Sequence, residues 1–555
     1  MISIISRLAG RSFASMMRRL AGDRDGSILI MLAIGLPTIV FATGFGIDFS
    51  RAENAQTQLN AIADAASLAA VDPSMLYQTD AVAQAAATAM FNTQAANVQG
   101  VTNIQVNPVV STGTSGIGGL RTVTVSYTAQ STNLFGGILG LTSLAISGTS
   151  GASASQPPNI NFYVMVDNSP SMLIPSTATG ITQLQATTST SDGGCAFTCH
   201  NRQPLSSYSY QVVKTVSGHT YSVWIPDSTY TSPSMTGSQS YMLVNTSNGN
   251  VYDPGVNQLT GYAVCSGTLT MATVSNGCNT GNTISGQWAD GYWAVENYST
   301  LYPGNDNITL RIDDASSAVQ QLAPYAYSTS QTNQATYAIQ AFFFNNIMSD
   351  PGNIYPSLPS GVSYISGTPV AVMTPMTTLS SANSLTVPTI PVPRWITSSC
   401  VTSGTCPNGP GAMTDFRNMF SEMNTYMPNP GNGSANSTPQ EVLFLITDGY
   451  DDDQAHNNRS YLTSTELAEC STIKARGIKI AIIYTQYLAS SVSAIYPSYA
   501  SVLTPTDKVA AALQSCASTN SSGTPLYYQV SQNESITPAL QQLFASVVQS
   551  AHLTQ

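Results

Sequence analysis

Charged side chains are scarce in this chain. Asp, Glu, Lys and Arg make up 8% of its 555 residues, whereas soluble proteins average about 25%. Beyond residue 50 there are 12 basic against 25 acidic residues, and no Lys or Arg occurs between Arg51 and Arg121. Because nucleic-acid binding needs a basic face, we expect no nucleic-acid partner. A cation is a better candidate ligand for this acidic chain than a nucleic acid.

Signatures of catalysis are also missing. The four histidines, at positions 200, 219, 456 and 552, stand in no recognisable nucleophile motif, and no glycine-rich phosphate loop is present. We therefore expect no enzyme. Disorder is excluded as well, because 42% hydrophobic residues, with 27 Tyr and 15 Phe, can build cores. The length leaves room for about three domains.

An uncharged run lies near the amino terminus. From Gly26 to Ile47, 22 residues carry no charge, which is long enough for a transmembrane helix. Five arginines precede it, at 7, 11, 18, 19 and 24. The positive-inside rule then predicts a cytoplasmic tail at 1–25, an anchor at 26–48 and an exported body. A buried core helix and a cleaved signal peptide remain alternatives, although the apolar part of a signal peptide is usually shorter.

Cysteine usage agrees with export. The eight cysteines are Cys195, Cys199, Cys265, Cys278, Cys400, Cys406, Cys470 and Cys516, and an even number in an exported chain favours disulfides. Neighbours along the sequence suggest the pairs 195–199, 265–278, 400–406 and 470–516, out of roughly 100 possible connectivities. Alternatively, Cys195, Cys199 and His200 in GGCAFTCH form half of a zinc site, but no second Cys/His pair stands nearby.

Residues 49–150 are predicted to form a small α+β module. RAENAQTQLNAIADAASLAAV is rich in alanine, and Leu59, Ile62, Ala66 and Leu68 fall near one stripe of a helix. A second helix is predicted at 80–95, followed by the strand-like runs VTNIQVNPVV, RTVTVSYTAQ and SLAISGTS. Residues 151–158 are rich in Ser, Gly, Ala and Pro, which predicts a linker.

From 159 to 555, apolar strands alternate with amphipathic helices. Strands are predicted at 161–166, 336–344, 442–447, 478–484 and 526–530, with a weaker one around 362–373; helices are predicted near 309–324, 414–427, 463–476, 506–516 and 534–552. This alternation predicts an α/β fold with an open, doubly wound, mostly parallel sheet. Residues 173–308 interrupt it without helix periodicity, and we interpret them as a β-rich insertion.

Oxygen-bearing side chains follow two of the predicted strands. Asp167, Ser169 and Ser171 come directly after strand 161–166, and Asp448 follows strand 442–447. In a parallel sheet these ends meet at one edge, where ligands bind. Carboxylates and hydroxyls without Cys or His favour Mg, with Ca or Mn as alternatives. An ordinary surface turn is the competing interpretation. Asp451, Asp452 and Asp453 are interpreted as a solvated turn rather than a second ion site.

These residues resemble the von Willebrand factor A domain. DNSPSM matches its D-x-S-x-S signature, and FLITDG resembles its second acidic segment. The resemblance implies a metal-ion-dependent adhesion site that also takes a threonine from a loop entering a helix. Thr414 in GAMTDFRNMF fits that position, with Thr374 and Thr378 as weaker candidates. Pro170 stands where many members have glycine, which implies a stiffer loop.

The amino-terminal region resembles TadG-like Flp/Tad pilus assembly proteins. An arginine-bearing tail and one span precede DFSRAENAQTQLNAIADAASLAAV, and GCAFTCH and ELAECSTIKARGIKI also resemble elements of that family. A pilin-like glutamate inside the span is missing, so we do not expect polymerisation as a pilin. The resemblance implies a single-pass protein of the bacterial inner membrane, with a cytoplasmic amino terminus and a periplasmic or surface-exposed carboxyl domain.

Two binding functions follow from these expectations. The leading hypothesis is a pilus-assembly or adhesion protein of a Tad/Flp system that binds a protein partner through the metal, with an acidic residue of the partner completing the coordination. Other Tad components are candidate partners, and the membrane is contacted through the amino-terminal helix. The alternative is a cell-surface or matrix adhesin unrelated to pili.

Overall fold

A computed structural model describes residues 27–113, 119–188, 196, 212–226, 239–266, 283–346, 358–392, 414–453, 458–486, 489, 497–520 and 522–552. The chain divides into two compact units, residues 1–115 with 119–156 and residues 116–118 with 157–555. The expected mixed α/β content, with several sheets and an apolar amino-terminal helix, is confirmed.

The first described element of the first unit is one long helix, α1 (Ser27–Ala70), which continues through Pro37. Among the described residues, one helix is long and apolar enough to cross a membrane, and it contains a window with a mean hydropathy of 2.0 that is only 6% buried. Large apolar side chains such as Met31 and Ile34 are exposed along it. By length and composition, α1 suits a membrane anchor.

The carboxyl half of α1 packs with α2 (Asp80–Ala95) on an antiparallel sheet of three strands. The strands are β1 (Val101–Gly113), β2 (Leu120–Thr132) and β3 (Ser143–Ser155). Alternate residues of β2 are buried, as expected for a sheet covered on one face. Alanines dominate the helix surfaces in this core, so the helices approach each other and the sheet closely.

Two predictions for this unit are wrong in detail. Leu68 is 62% exposed, whereas Leu59, Ala63 and Ala66 are fully buried, so the stripe turns away from Leu68. Residues 151–155, predicted as the start of a linker at 151–158, belong to β3 and pair with β2 up to Ser155. Their Ser, Gly and Ala side chains give no clear apolar period, but backbone hydrogen bonds to β2 hold them in the strand, and Ala152 and Ala154 pack against the core of the unit.

The second unit contains a central sheet with five parallel strands in the order β11-β4-β15-β18-β19. These strands are β4 (Ile160–Asp167), β11 (Tyr337–Phe344), β15 (Gln440–Thr447), β18 (Lys479–Thr485) and β19 (Tyr527–Val530). All eight residues of β11 and of β15 are buried, which is typical of parallel strands covered on both faces.

Short antiparallel strands extend the β11 edge of this sheet. They are β12 (Ser363–Tyr364), β13 (Val370–Val372) and β14 (Thr377–Thr378). The predicted strand around 362–373 is therefore two strands joined by a turn through Gly367, whose φ is +76°. Glycine adopts this left-handed conformation without steric cost.

Helices cover both faces of the sheet. Phe162, Val164 and Val166 of β4 share a core with α6 (Arg311–Asn333) and α11 (Ile536–His552). Tyr163 and Met165 point to the opposite core, which contains α7 (Phe416–Tyr426), α8 (Ser464–Ala475) and α10 (Lys508–Cys516). A further short helix, α9, spans Pro497–Leu503. The helix predicted near 309–324 continues to Asn333 because Pro324 lies within α6 without ending it.

The insertion at 173–308 contains a sheet, as predicted, but also helices that were not. Its strands are β5 (Val213–Val216), β6 (His219–Pro226), β7 (Met242–Asn245), β8 (Val251–Tyr252), β9 (Ala263–Ser266) and β10 (Thr283–Trp288). Its helices are α3 (Ala178–Thr187), α4 (Gly291–Glu296) and α5 (Tyr298–Leu301). These helices are ten residues or shorter, too short to show a clear period in the sequence.

Candidate cation site

The chain changes direction across the sheet next to β4. From the carboxyl end of β4 it passes through the insertion and α6 to β11 on one side, and from the carboxyl end of β15 it passes through α8 to β18 on the other side. Because α6 and α8 cover opposite faces, these connections diverge beyond the carboxyl ends of β4 and β15. In open α/β sheets, ligands bind at such a point.

Asp167 is the last residue of β4 and is fully buried. Its Oδ1 accepts a hydrogen bond from the Ser169 backbone N–H at 3.0 Å. Its Oδ2 accepts one from the Thr447 hydroxyl at 2.6 Å. Thr447 is the last residue of β15, the neighbouring strand. Both carboxylate oxygens are therefore held in place at this edge of the sheet.

The two serine hydroxyls lie side by side. Ser169 Oγ and Ser171 Oγ are 2.6 Å apart. A single turn of 3-10 helix, Pro170–Leu173, sets this spacing, with Pro170 at its first position. Proline suits the first helical position because its fixed φ matches the helix and its missing N–H would have no partner there.

Asp448 follows β15 directly and is also buried. Its Oδ1 accepts from the Tyr450 backbone N–H at 3.0 Å. Gly449 between them has a φ of +71°, and a Cβ there would lie 2.6 Å from Leu513 Cδ1 and from Val509 Cγ1 of α10. The tight turn after Asp448 thus needs glycine both for its conformation and for its contact with α10.

The two carboxylates act on each other electrostatically. Burial, and then the charge of Asp448, raise the pKa of Asp167 well above its ordinary value, although hydrogen bonds from Thr447 and Ser169 oppose this. A cation between two such carboxylates would relieve both the repulsion and the desolvation.

Of the three threonines, Thr414 has the most suitable position. It is buried, and it precedes α7, whose first residue Phe416 packs against Phe344 with ring centroids 5.3 Å apart. Phe344 is paired with Asp167 in the sheet, so Thr414 lies towards the same end.

The two weaker threonine candidates lie elsewhere. Thr374 Oγ1 accepts a hydrogen bond from the Ala341 N–H, in the middle of β11. Thr378 is exposed and pairs with Ala338, near the amino end of β11. Neither is placed at the edge that holds Asp167, because parallel strands present only their carboxyl ends there.

Thr447 is the residue that the sequence reasoning missed. Its hydroxyl donates to Asp167 and accepts from the Gly449 N–H at 2.8 Å, so it ties the two acidic segments together. A hydroxyl directly before Asp448 in FLITDG was the available signal.

The interpretation of Asp451 as part of a solvated turn is wrong, because Asp451 is buried in β16 (Asp451–Asp453), which pairs with β17 (Asn458–Ser460).

The described residues contain no cluster of three or more His, Cys, Asp or Glu side chains placed to hold a metal ion. A site here would therefore consist of two carboxylates and several hydroxyls. The zinc half-site proposed for Cys195, Cys199 and His200 lies outside the described residues, as do Cys278, Cys400 and Cys406.

One predicted disulfide is confirmed. Cys470 on α8 and Cys516 at the end of α10 are bonded, with their Cα atoms 5.4 Å apart. Lys474, also on α8, donates to the carbonyl oxygen of Ser515 at 2.9 Å, so the two helices are linked a second time. Cys265 lies in β9, but its predicted partner Cys278 is outside the described residues.

Comparison with known proteins concerns mainly the first unit. No curated protein matches the chain. Residues 26–89, which contain all of α1 and part of α2, match the family model described as putative Flp pilus-assembly TadE/G-like. The match supports a role in pilus assembly.

Proposed function

We propose that this chain is a membrane-anchored, extracytoplasmic protein of a Tad/Flp pilus system that binds a protein partner through a divalent cation. The cation, Mg²⁺ in the first place and Ca²⁺ or Mn²⁺ as alternatives, would be held by Asp167, Ser169, Ser171, Thr414 and Asp448. The second unit is then a von Willebrand factor A-like domain. It has no enzymatic role in this proposal.

The observation that carries the cation proposal is the pair of buried carboxylates at the switch in strand order. Asp167 and Asp448 lie at the ends of adjacent strands, and the charge of one raises the pKa of the other. The adjacent Ser169 and Ser171 hydroxyls add hard oxygen donors, which suit Mg²⁺, Ca²⁺ or Mn²⁺. When bound, the ion would offer a coordination position to an acidic side chain of the partner.

Two observations support the pilus and membrane parts of the proposal. The family match begins at residue 26 and covers the exposed apolar part of α1. The five arginines before residue 25 favour a cytoplasmic amino terminus. Other components of the pilus system are accordingly the proposed partners.

The cation site is tested by calorimetric titration of the full-length protein in detergent with Mg²⁺, Ca²⁺ and Mn²⁺. Asp167→Asn should abolish binding because it removes one of two carboxylates and keeps the shape. Ser169→Ala should weaken binding less, since water can replace one hydroxyl. Asp253→Asn is the matched control, because Asp253 is a buried aspartate of the insertion that accepts hydrogen bonds from Asn257. Undiminished affinity in Asp167→Asn would refute the site.

The topology is tested separately with reporters fused after Gln555. A reporter that is active only in the periplasm should be active, and a reporter that is active only in the cytoplasm should be silent. The opposite pattern would overturn the orientation while leaving the cation site untouched.

A further inference from the structure

The connection between β2 and β3 exposes a group of large apolar side chains. This segment, residues 133–142 with the sequence NLFGGILGLT, is called the apolar loop below. Its exposed side chains are Leu134, Ile138, Leu139 and Leu141, at 61%, 72%, 66% and 47% exposure. Soluble surfaces rarely gather so many large apolar side chains in one place unless something covers them.

The apolar loop is ordered by its own hydrogen bonds. Asn133 donates through Nδ2 to the Leu141 carbonyl oxygen at 2.9 Å, and its backbone N–H donates to Thr142 O at 3.0 Å. A 3-10 turn, Gly136–Leu139, forms the tip and ends at Gly140 with a φ of +84°. This fixed backbone holds Ile138 and Leu139 outwards, where they cannot reach the core of the module.

The apolar loop is attached to the end of the proposed membrane span. The carboxylate of Asp48, which is buried, accepts hydrogen bonds from the backbone N–H groups of Leu134, Phe135 and Gly136 at 2.8, 2.9 and 2.7 Å. One turn earlier on α1, a Cβ at Gly44 would lie 2.6 Å from Phe135 Cβ. The loop therefore packs directly on residues 44–48.

Exposed apolar side chains of α1 flank this point. Phe45, Ile47 and Phe49 are 49%, 43% and 52% exposed. The apolar loop and this last turn of the span therefore expose apolar side chains next to each other, and together they are an apolar surface. If α1 crosses a bilayer, that surface lies where the span leaves the hydrocarbon.

We propose that the apolar loop enters the bilayer beside α1, so that the first unit contacts lipid at two places, a spanning helix and an interfacial loop. The occupant of this surface is the acyl and glycerol region of the leaflet that α1 leaves. The uncharged sequence of the loop suits that region, and its backbone polar groups are largely satisfied within the loop and by Asp48. This inference rests on the proposed membrane anchor.

The test uses the full-length protein in nanodiscs of phosphatidylethanolamine and phosphatidylglycerol, with a benzophenone amino acid at one position at a time. Leu139 is the test position. Val109 is the matched control, because it is a 54% exposed apolar residue of the same module that pairs with Thr124, about 26 Å along the strand from the loop. Ile34, in the middle of the span, reports whether α1 is in the bilayer.

After irradiation, mass spectrometry should find lipid adducts at Ile34 and Leu139, and severalfold less at Val109. Lipid adducts at Ile34 without any excess at Leu139 over Val109 would overturn the loop insertion and leave the anchor intact. A chain-to-chain adduct at Leu139 in place of lipid would also overturn it and would assign the surface to a second copy. Absence of lipid at both Ile34 and Leu139 would refute the anchor together with the loop.

Discussion

Opening the disulfide between Cys470 and Cys516 should cost the second unit much of its stability. The two residues are 46 positions apart in sequence and join α8 to α10, so the bond closes a long loop in the unfolded chain. Chain-entropy arithmetic for a loop of this length gives about 4 kcal/mol at 25 °C. Both cysteines are fully buried in the same core, so each alanine substitution also adds the packing loss of the one sulfur atom that it removes.

The perturbation is a double-mutant cycle of Cys470→Ala, Cys516→Ala and the double variant. Each single variant should lower the free energy of unfolding by about 4 kcal/mol, because either one opens the loop. The double variant should lose little more than a single one, which gives a coupling energy close to the entropy term. The slope of stability against urea should also rise, since the uncrosslinked chain exposes more surface when unfolded.

Urea unfolding followed by tryptophan fluorescence suits this test. All four tryptophans, at 224, 288, 293 and 395, lie beyond residue 156, so the signal reports on the second unit alone. Ile473→Val, on α8 in the same core, is the control for packing loss and should cost about 1 kcal/mol. Additive losses of about 1 kcal/mol for each cysteine would show that the bond does not constrain the chain and would refute the reasoning.

Three further predictions concern single residues of the second unit. Burial raises the pKa of Glu441 from 4.5 to about 7, so its protonated form stabilises the fold at low pH. That contribution is lost as the pH rises from about 5 to about 7. In urea titrations the free energy of unfolding of the wild type should then fall by about 1 to 2 kcal/mol relative to that of Glu441→Gln, after discounting for solvent screening. A difference between the two proteins that does not change with pH would contradict this. In thermal unfolding, Gly449→Ala should destabilise the second unit by about 2 kcal/mol more than Gly523→Ala does. Both glycines have a positive φ, but only Gly449 lies against α10. Equal losses of stability would disprove that contact. Thr447→Val should weaken binding of the proposed cation, measured by calorimetry, by about 10- to 100-fold, because it removes the hydrogen bond to the Asp167 carboxylate. Thr485 is a buried threonine at the end of the next strand, and Thr485→Val should leave binding unchanged. Equal effects of the two variants would indicate that Thr447 has a purely structural role.

Local patterns in the sequence predicted most of the secondary structure. The five parallel strands of the central sheet begin and end within two residues of their predicted positions, because runs such as VLFLIT and KIAIIYT are mostly apolar and have no helical period. The same local reasoning placed Asp167, Ser169 and Ser171 at the end of β4. It failed for residues 151–155, whose small side chains show no apolar period although the segment pairs with β2, and for the short helices of the insertion.

Sequence alone therefore determined most of the strands and the longer helices, where the apolar span lies and which oxygen-bearing side chains follow the strands, because these depend on residues close together in the chain. Only the tertiary structure decided that β15 lies next to β4, so that Thr447 reaches Asp167 across 280 positions. It likewise decided that Cys470 meets Cys516 and that the apolar loop packs on Asp48 at the end of α1. Such contacts join residues that are distant in sequence, and strand order and helix packing, which no local pattern encodes, bring them together.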